Sequence, residues 1–192
     1  IGNVLAIKQS NIKRMLAYSS ISHIGFVMMS LSVYTFTADL SAILLYSFIY
    51  IFMNLGAFLM VVYAENDLGY KTFDDWNGFG LKKPFWGAMM SINMIALTGL
   101  PPTSGFIAKF YIFSDLVSSK EFFWLAIIGG LNAVISLYYY FRLIKHMYLL
   151  KEENRKVKNP SLILGIIIVL FSMQTLVFYL YWNPLIEMLK GI

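Results

Sequence analysis

Apolar residues run along this chain in stretches long enough to cross a bilayer, separated by short polar segments. A span needs about 20 predominantly apolar residues, and five stretches qualify: roughly 12–34, 40–63, 85–113, 122–146 and 161–182. The polar breaks at 35–39, 64–84, 114–121 and 151–160 are too short and too plain to form a separate soluble domain. No stretch shows the alternating ten-residue pattern of barrel strands. Lipid tolerates only helices or closed barrels, because every backbone polar group must be paired within the protein. The pattern therefore predicts an all-α integral membrane protein, a multispan helical bundle. The opening residues 1–9 are apolar but too short to span, and read as the end of a truncated transmembrane helix.

The third stretch is unusual. Its 29 residues would make a helix of about 43 Å, longer than a bilayer core of about 30 Å. Inside it, Pro101 and Pro102 remove two backbone donors and disfavour helix before them, while Gly99 and Gly105 permit unusual dihedrals. The helix at 85–113 is thus predicted to be broken between Gly99 and Gly105. Broken spans survive where the freed backbone is buried in protein or lines water, and such breaks hold ions and protons in transporters. Lys109 follows one turn later, among apolar neighbours. A lysine at mid-membrane costs about 2.5 to 3.5 kcal/mol on insertion scales, which marks it as functional unless it snorkels to an interface.

Charge orients the spans. With loops alternating sides, twelve of the fifteen Lys and Arg residues fall on one side, only Lys120 and Lys190 on the other, and Lys109 in the membrane. The positive-inside rule makes the first side cytoplasmic, or matrix-facing in an organelle, and leaves the C-terminal Glu187 to Lys190 outside. The net charge of +5 is therefore a matter of loops, and nucleic-acid binding is excluded by the scarcity of charged surface. Zero cysteines exclude disulfides, thiolate metal sites and Cys-ligated clusters from this chain. Phosphate loops, HExxH and paired carboxylates are absent too, so no bond chemistry, bound cofactor or metal is expected in the chain itself.

Weaker candidates share helical stripes. Ser19, His23 and Ser30 do so on the first span, with Ser20 and Ser22 nearby; Ser47, Tyr50 and Asn54 do so on the second. Each could belong to a hydrogen-bonded proton path, with His23 a relay, or could simply hold helices together. Asn132, Ser136 and Gln174 read as such packing groups. Tyr138, Tyr139 and Tyr140, beside Arg142, Lys145 and His146, read as an interfacial aromatic belt.

Two stretches resemble a known family. Asn11-Ile-Lys-Arg-Met-Leu-Ala-Tyr-Ser-Ser-Ile-Ser-His-Ile-Gly-Phe26 is similar to the helix start, and Leu100-Pro-Pro-Thr-Ser-Gly-Phe-Ile-Ala-Lys-Phe110 to the second broken helix, of the antiporter-like membrane subunits of respiratory complex I (NADH:quinone oxidoreductase). Asn54, where other members carry lysine, resembles the subunit N branch, the counterpart of mitochondrial subunit 2. The resemblance implies the C-terminal portion of a longer chain with an inverted-repeat antiporter-like fold. Residues 12–146 would then be four helices of the second repeat and 161–182 the final helix, with the N-terminal helices of the same chain missing. It implies a proton-translocating subunit of an enzyme complex in which Lys109 is a proton-channel residue; His23, Tyr50 and Asn54 remain proton-transfer candidates from the polar stripes. Expected partners are other membrane-arm subunits and lipids, with flavin, iron-sulfur clusters and quinone in partner subunits. The expected place is a bacterial plasma membrane, or the mitochondrial inner membrane if organellar. Alternatives are a subunit of a multisubunit cation/proton antiporter or membrane-bound hydrogenase, and a scaffold subunit that moves no proton.

Overall fold

The computed structural model describes residues 1–37, 39–151 and 157–190. Among these it is helical throughout: α1 (Gly2–Ile7), α2 (Ile12–Thr37), α3 (Ser41–Leu68), α4 (Phe79–Lys82), α5 (Pro84–Thr98), α6 (Ser104–Ser118), α7 (Phe123–Leu149), α8 (Leu162–Leu180) and α9 (Trp182–Lys190). Helices α2, α3, α7 and α8 are each long and apolar enough to cross a membrane alone. Helices α5 and α6 together occupy the third predicted stretch as two halves.

Helix α3 lies at the centre. Its Leu45, Ile49, Met53, Ala57, Met60 and Ala64 are fully enclosed, spaced at three and four residues as one face of a helix requires. Helices α2, α5, α6 and α8 pack around it. Gly56 lets α5 come close: a Cβ there would stand 2.6 Å from Asn93 Oδ1. Asn93 is itself buried and donates to Ser172 Oγ on α8 at 2.8 Å, a polar tie between α5 and α8.

One end of the bundle gathers the basic segments. Ile12 N–H donates to Lys71 carbonyl at 3.0 Å and Phe73 N–H to Ser10 carbonyl at 3.3 Å, while Gly78 N–H donates to His146 carbonyl at 3.0 Å. Lys13 pairs with Glu65 at 2.8 Å, Lys83 donates to Asn159 Oδ1 at 2.8 Å, and Tyr63 hydroxyl donates to Lys158 carbonyl. The segment 64–84 is therefore no slack loop. Helix α3 continues to Leu68 and stops at Gly69 in the left-handed region (φ 75°), and Tyr70, Phe73, Trp76 and Phe79 pack into a small aromatic core. The basic residues Arg155 and Lys156 of the predicted inner side lie outside the described residues. At the other end α9 turns back after Tyr181, and Trp182 meets Tyr111 of α6 at 5.6 Å between ring centroids.

Candidate functional site

The break is made by its own sequence. Gly99 takes φ 83° and ends α5, its N–H bonding back to the carbonyls of Ile95 and Ala96. Leu100 N–H bonds to the same Ile95 carbonyl at 3.2 Å. The cis-linked Pro101 and Pro102 have no N–H to offer, and helix resumes at Ser104 after an extended Thr103. Gly105 departs from the sequence expectation. It lies inside α6, and its role is closeness: a Cβ there would sit 1.9 Å from the Ala96 carbonyl oxygen. The two half-helices touch at that point. The non-helical stretch is thus Gly99–Thr103, shorter than the predicted Gly99–Gly105 because glycine in a first helical turn is no obstacle to helix.

The helix end leaves the carbonyls of Leu97 and Thr98 without backbone donors, and Lys109 supplies them. Its Nζ donates to Thr98 oxygen at 2.7 Å and to Leu97 oxygen at 3.1 Å. The residue is 4% exposed. A helix C-terminus carries partial negative charge, so the amine sits where a cation is favoured. Among the described residues no carboxylate pairs with it. Its nitrogen also lies 4.9 Å from the centroid of the Phe26 ring, within cation–π range. A cavity of about 210 Å³ opens beside it, lined by Gly99, Phe106, Phe110, Phe113, Val134 and Leu137 among others. An ammonium has three donors, and the two carbonyls use two.

Phe26 also neighbours a second polar group. Its ring centroid is 6.5 Å from that of His23 and 6.1 Å from that of Tyr46. His23 is buried, with Nδ1 2.7 Å from the Tyr46 hydroxyl and Nε2 3.2 Å from the Tyr140 hydroxyl. An imidazole with one proton donates through one nitrogen and accepts through the other, so one tyrosine must donate to it and the other accept. Tyr50 stacks on the His23 ring at 4.9 Å, and its buried hydroxyl stands near Ser20 without a partner in hydrogen-bonding geometry. Tyr140 lies against Tyr139 at 4.5 Å between centroids. Tyr139 hydroxyl donates to Asn3 Oδ1 at 2.8 Å, and Asn3 Nδ2 to the Asn132 carbonyl at 2.8 Å. A buried polar row thus runs from α3 through α2 and α7 to α1.

Of the sequence candidates, Lys109, Gly99, Pro101, Pro102 and Gly105 meet at the break, and His23 and Tyr50 lie just beyond Phe26. Asn54 is half-buried one turn past Tyr50, while the contacts around His23 are made by Tyr46, Tyr50, Phe26 and Tyr140. The tyrosine triplet is not a belt. Only Tyr138 faces outward, at 59% exposure; Tyr139 and Tyr140 are enclosed. Three consecutive helical positions fan over about 200°, so they cannot all face one interface. Tyr46, Phe26 and Asn3 join the site without a sequence expectation of their own, though Tyr46 and Tyr50, four apart, share one helix face. Among the described residues no three His, Asp or Glu side chains cluster as a metal site would require.

Comparison with known proteins gives the fold a family. The chain is 42% identical over 190 residues to NADH-quinone oxidoreductase subunit N 2 of Sorangium cellulosum, covering 97% of this chain and 37% of that protein. It is 41% identical to the protein of the same name from Chloroherpeton thalassium, covering 96% and 36%. The chain thus spans little more than a third of the length of these relatives. Among solved structures it matches a chain of respiratory complex I from Thermus thermophilus with a TM-score of 0.80 at 24% identity, over 97% of this chain and 42% of that one. It also matches a chain of the Mrp complex from Dietzia sp. with a TM-score of 0.86 at 16% identity, over 99% and 43%. At such identities these two likenesses show the shared fold alone. The family model described as NADH:quinone oxidoreductase/Mrp antiporter, TM, matches residues 1–136, and the chain belongs to that family of antiporter-like membrane proteins.

Proposed function

We propose that the chain is part of a proton-translocating membrane-arm subunit of a bacterial NADH:quinone oxidoreductase, with Lys109 as its proton-transfer group. The observation that carries this reading is the seat of Lys109: an amine 4% exposed, held by two backbone carbonyls at a helix break, with no acid beside it among the described residues. Such an amine can hold a proton against the negative end of α5 and release it when its surroundings change, since no carboxylate fixes its charge. His23, with a hydroxyl at each ring nitrogen, is the next acceptor, and the cavity beside Lys109 is where water would enter. Tyr50, whose ring stacks on His23, lends a further hydroxyl to the path, and Asn54 lies one turn beyond. On this reading residues 12–146 are helices of the second inverted repeat, 161–182 follows it, and 1–9 ends the helix before. The site lies in a bacterial plasma membrane, among other membrane-arm subunits. Those partners carry the flavin, the clusters and the quinone. Relatives named for subunit N at about 40% identity favour this complex over a cation/proton antiporter or a hydrogenase-type complex of the same fold.

The test uses the complete complex in sealed vesicles, with the full-length chain carrying Lys109→Gln, Lys109→Ala or Lys109→Arg. Glutamine keeps donors for the two carbonyls but cannot titrate; arginine keeps the charge but holds its proton at all working pH values. Assembly should survive in Lys109→Gln, and proton uptake coupled to NADH oxidation should fall in all three. Proton uptake at the parental level in Lys109→Gln, with normal assembly, would leave this lysine a structural cap and the chain a scaffold. Sodium uptake replacing proton uptake would move it to the antiporter class.

A further inference from the structure

The basic end of α7 carries cations that the Lys109 path does not use. Arg142, Lys145 and His146 line a cavity of about 470 Å³ together with Tyr138 and Phe141. Two of the three are held in place from behind. The Arg142 guanidinium stacks on Phe73 at 4.1 Å to the ring centroid. His146 Nδ1 lies 2.7 Å from Asn77 Oδ1 and 3.7 Å from the exposed carboxylate of Asp74. The Arg142 guanidinium, already fixed on Phe73, loses less freedom when an anion arrives. Among the described residues neither Arg142 nor Lys145 has a carboxylate within ion-pair distance.

An apolar stripe leads away from these cations. Ile127, Leu131, Val134, Tyr138 and Phe141 recur at spacings of four and three, all exposed, and Lys145 follows four residues later on the same face. From Lys145 the stripe runs about 27 Å along the helix, longer than the roughly 15 Å half-core that one acyl chain fills. A cationic pocket continuous with a lipid-length apolar track is the shape of a whole phospholipid. We infer that the inner end of α7 seats an anionic phospholipid, its phosphate between Arg142 and Lys145 and one acyl chain along the Tyr138–Leu131 stripe. A phosphate oxygen accepts from guanidinium and ammonium together. A zwitterionic headgroup would bring its own cation toward Lys145, so the seat prefers a headgroup such as phosphatidylglycerol.

The experiment uses the complete complex with the full-length chain, in bilayers of phosphatidylcholine with or without phosphatidylglycerol. Trace photoactivatable phosphatidylglycerol or phosphatidylcholine, reactive in the acyl chain, is cross-linked and mapped to peptides. The phosphatidylglycerol probe should label residues 127–141 in preference to the phosphatidylcholine probe. Substituting Arg142→Gln and Lys145→Gln should cost about fivefold in labelling for each cation, while millimolar inorganic phosphate should not compete. Equal labelling by the two probes would overturn the inference, as would full competition by phosphate. So would the absence of labelling because a neighbouring subunit covers the stripe. The comparison of probes on the unsubstituted complex decides the matter even if a variant fails to assemble.

Discussion

Gly99→Ala alters the seat of Lys109 without altering its chemistry, and so separates position from presence. At φ 83° an alanine is strained by about 1 to 2 kcal/mol. Its Cβ would also stand 2.6 Å from Lys109 Cδ and 3.2 Å from both Cε and Nζ. Carbon contacts settle near 3.5 to 4.0 Å, so the lysine stem must retreat by about 1 Å. The bonds at 2.7 and 3.1 Å to Thr98 and Leu97 then stretch beyond the useful range. A hydrogen bond to a charged group is worth about 1.5 to 3 kcal/mol, so the loss of both together with the strain gives a total of about 4 to 8 kcal/mol if nothing relaxes. If one such bond, at the lower end of that range, is lost from the transfer step alone, proton movement slows about tenfold. The assay is a native gel for assembly, then proton uptake and NADH oxidation in vesicles. Gly130→Ala serves as the control, since a Cβ there meets nothing within 4 Å. Assembled complex with pumping slowed about tenfold is the expected result. Parental pumping in Gly99→Ala would refute the claim that this geometry matters.

Gly105→Ala should act differently, because the atom 1.9 Å from its Cβ is backbone, the Ala96 carbonyl. The half-helices must separate, and loss of assembled complex, read on the same gel, is expected where Gly99→Ala retains it. Tyr140→Phe removes the hydroxyl 3.2 Å from His23 Nε2 while keeping the buried ring. It should assemble normally, with slower proton uptake, and parental uptake would take the His23 row out of the path.

The bundle was legible because lipid demands about 20 apolar residues per crossing, and the crossings at 12–34, 40–63, 122–146 and 161–182 sit within α2, α3, α7 and the α8–α9 region. The break was legible because proline lacks a donor. The remaining elements follow other physics. Residues 64–84 fold through Tyr70, Phe73, Trp76 and Phe79, aromatics with no period of their own, whose burial depends on α2 and α7 arriving from elsewhere in the chain. Helix α9 is short and amphipathic, so neither length nor hydropathy marks it as an element. Tyr139 and Asn3 lie 136 residues apart, and no local pattern announces a bond made only when α1 packs on α7. Lys109 could be singled out by cost, but its partners could not, because they are backbone carbonyls and carry no side-chain signature.

That last point joins the break to the lysine. A helix interrupted by Pro101 and Pro102 loses the donors that would have served the final carbonyls of α5. Gly99 and Leu100 turn back to Ile95 and Ala96, which leaves Leu97 and Thr98 facing the interior. Unpaired, each buried carbonyl would cost about 1 to 3 kcal/mol; an unpaired lysine in the same place carries a burden of about 2.5 to 3.5 kcal/mol. Brought together, the two liabilities relieve each other, and Gly105 holds α6 close enough to α5 for the amine to reach. A kink needed only for packing could be relieved by a neutral donor. The amine, when protonated, instead keeps one donor beyond the two carbonyls and stands beside both a cavity and the Phe26 ring, a ring that also neighbours His23. Lys109 and His23 thus share Phe26 as a neighbour, its ring centroid 4.9 Å from the amine nitrogen and 6.5 Å from the imidazole centroid.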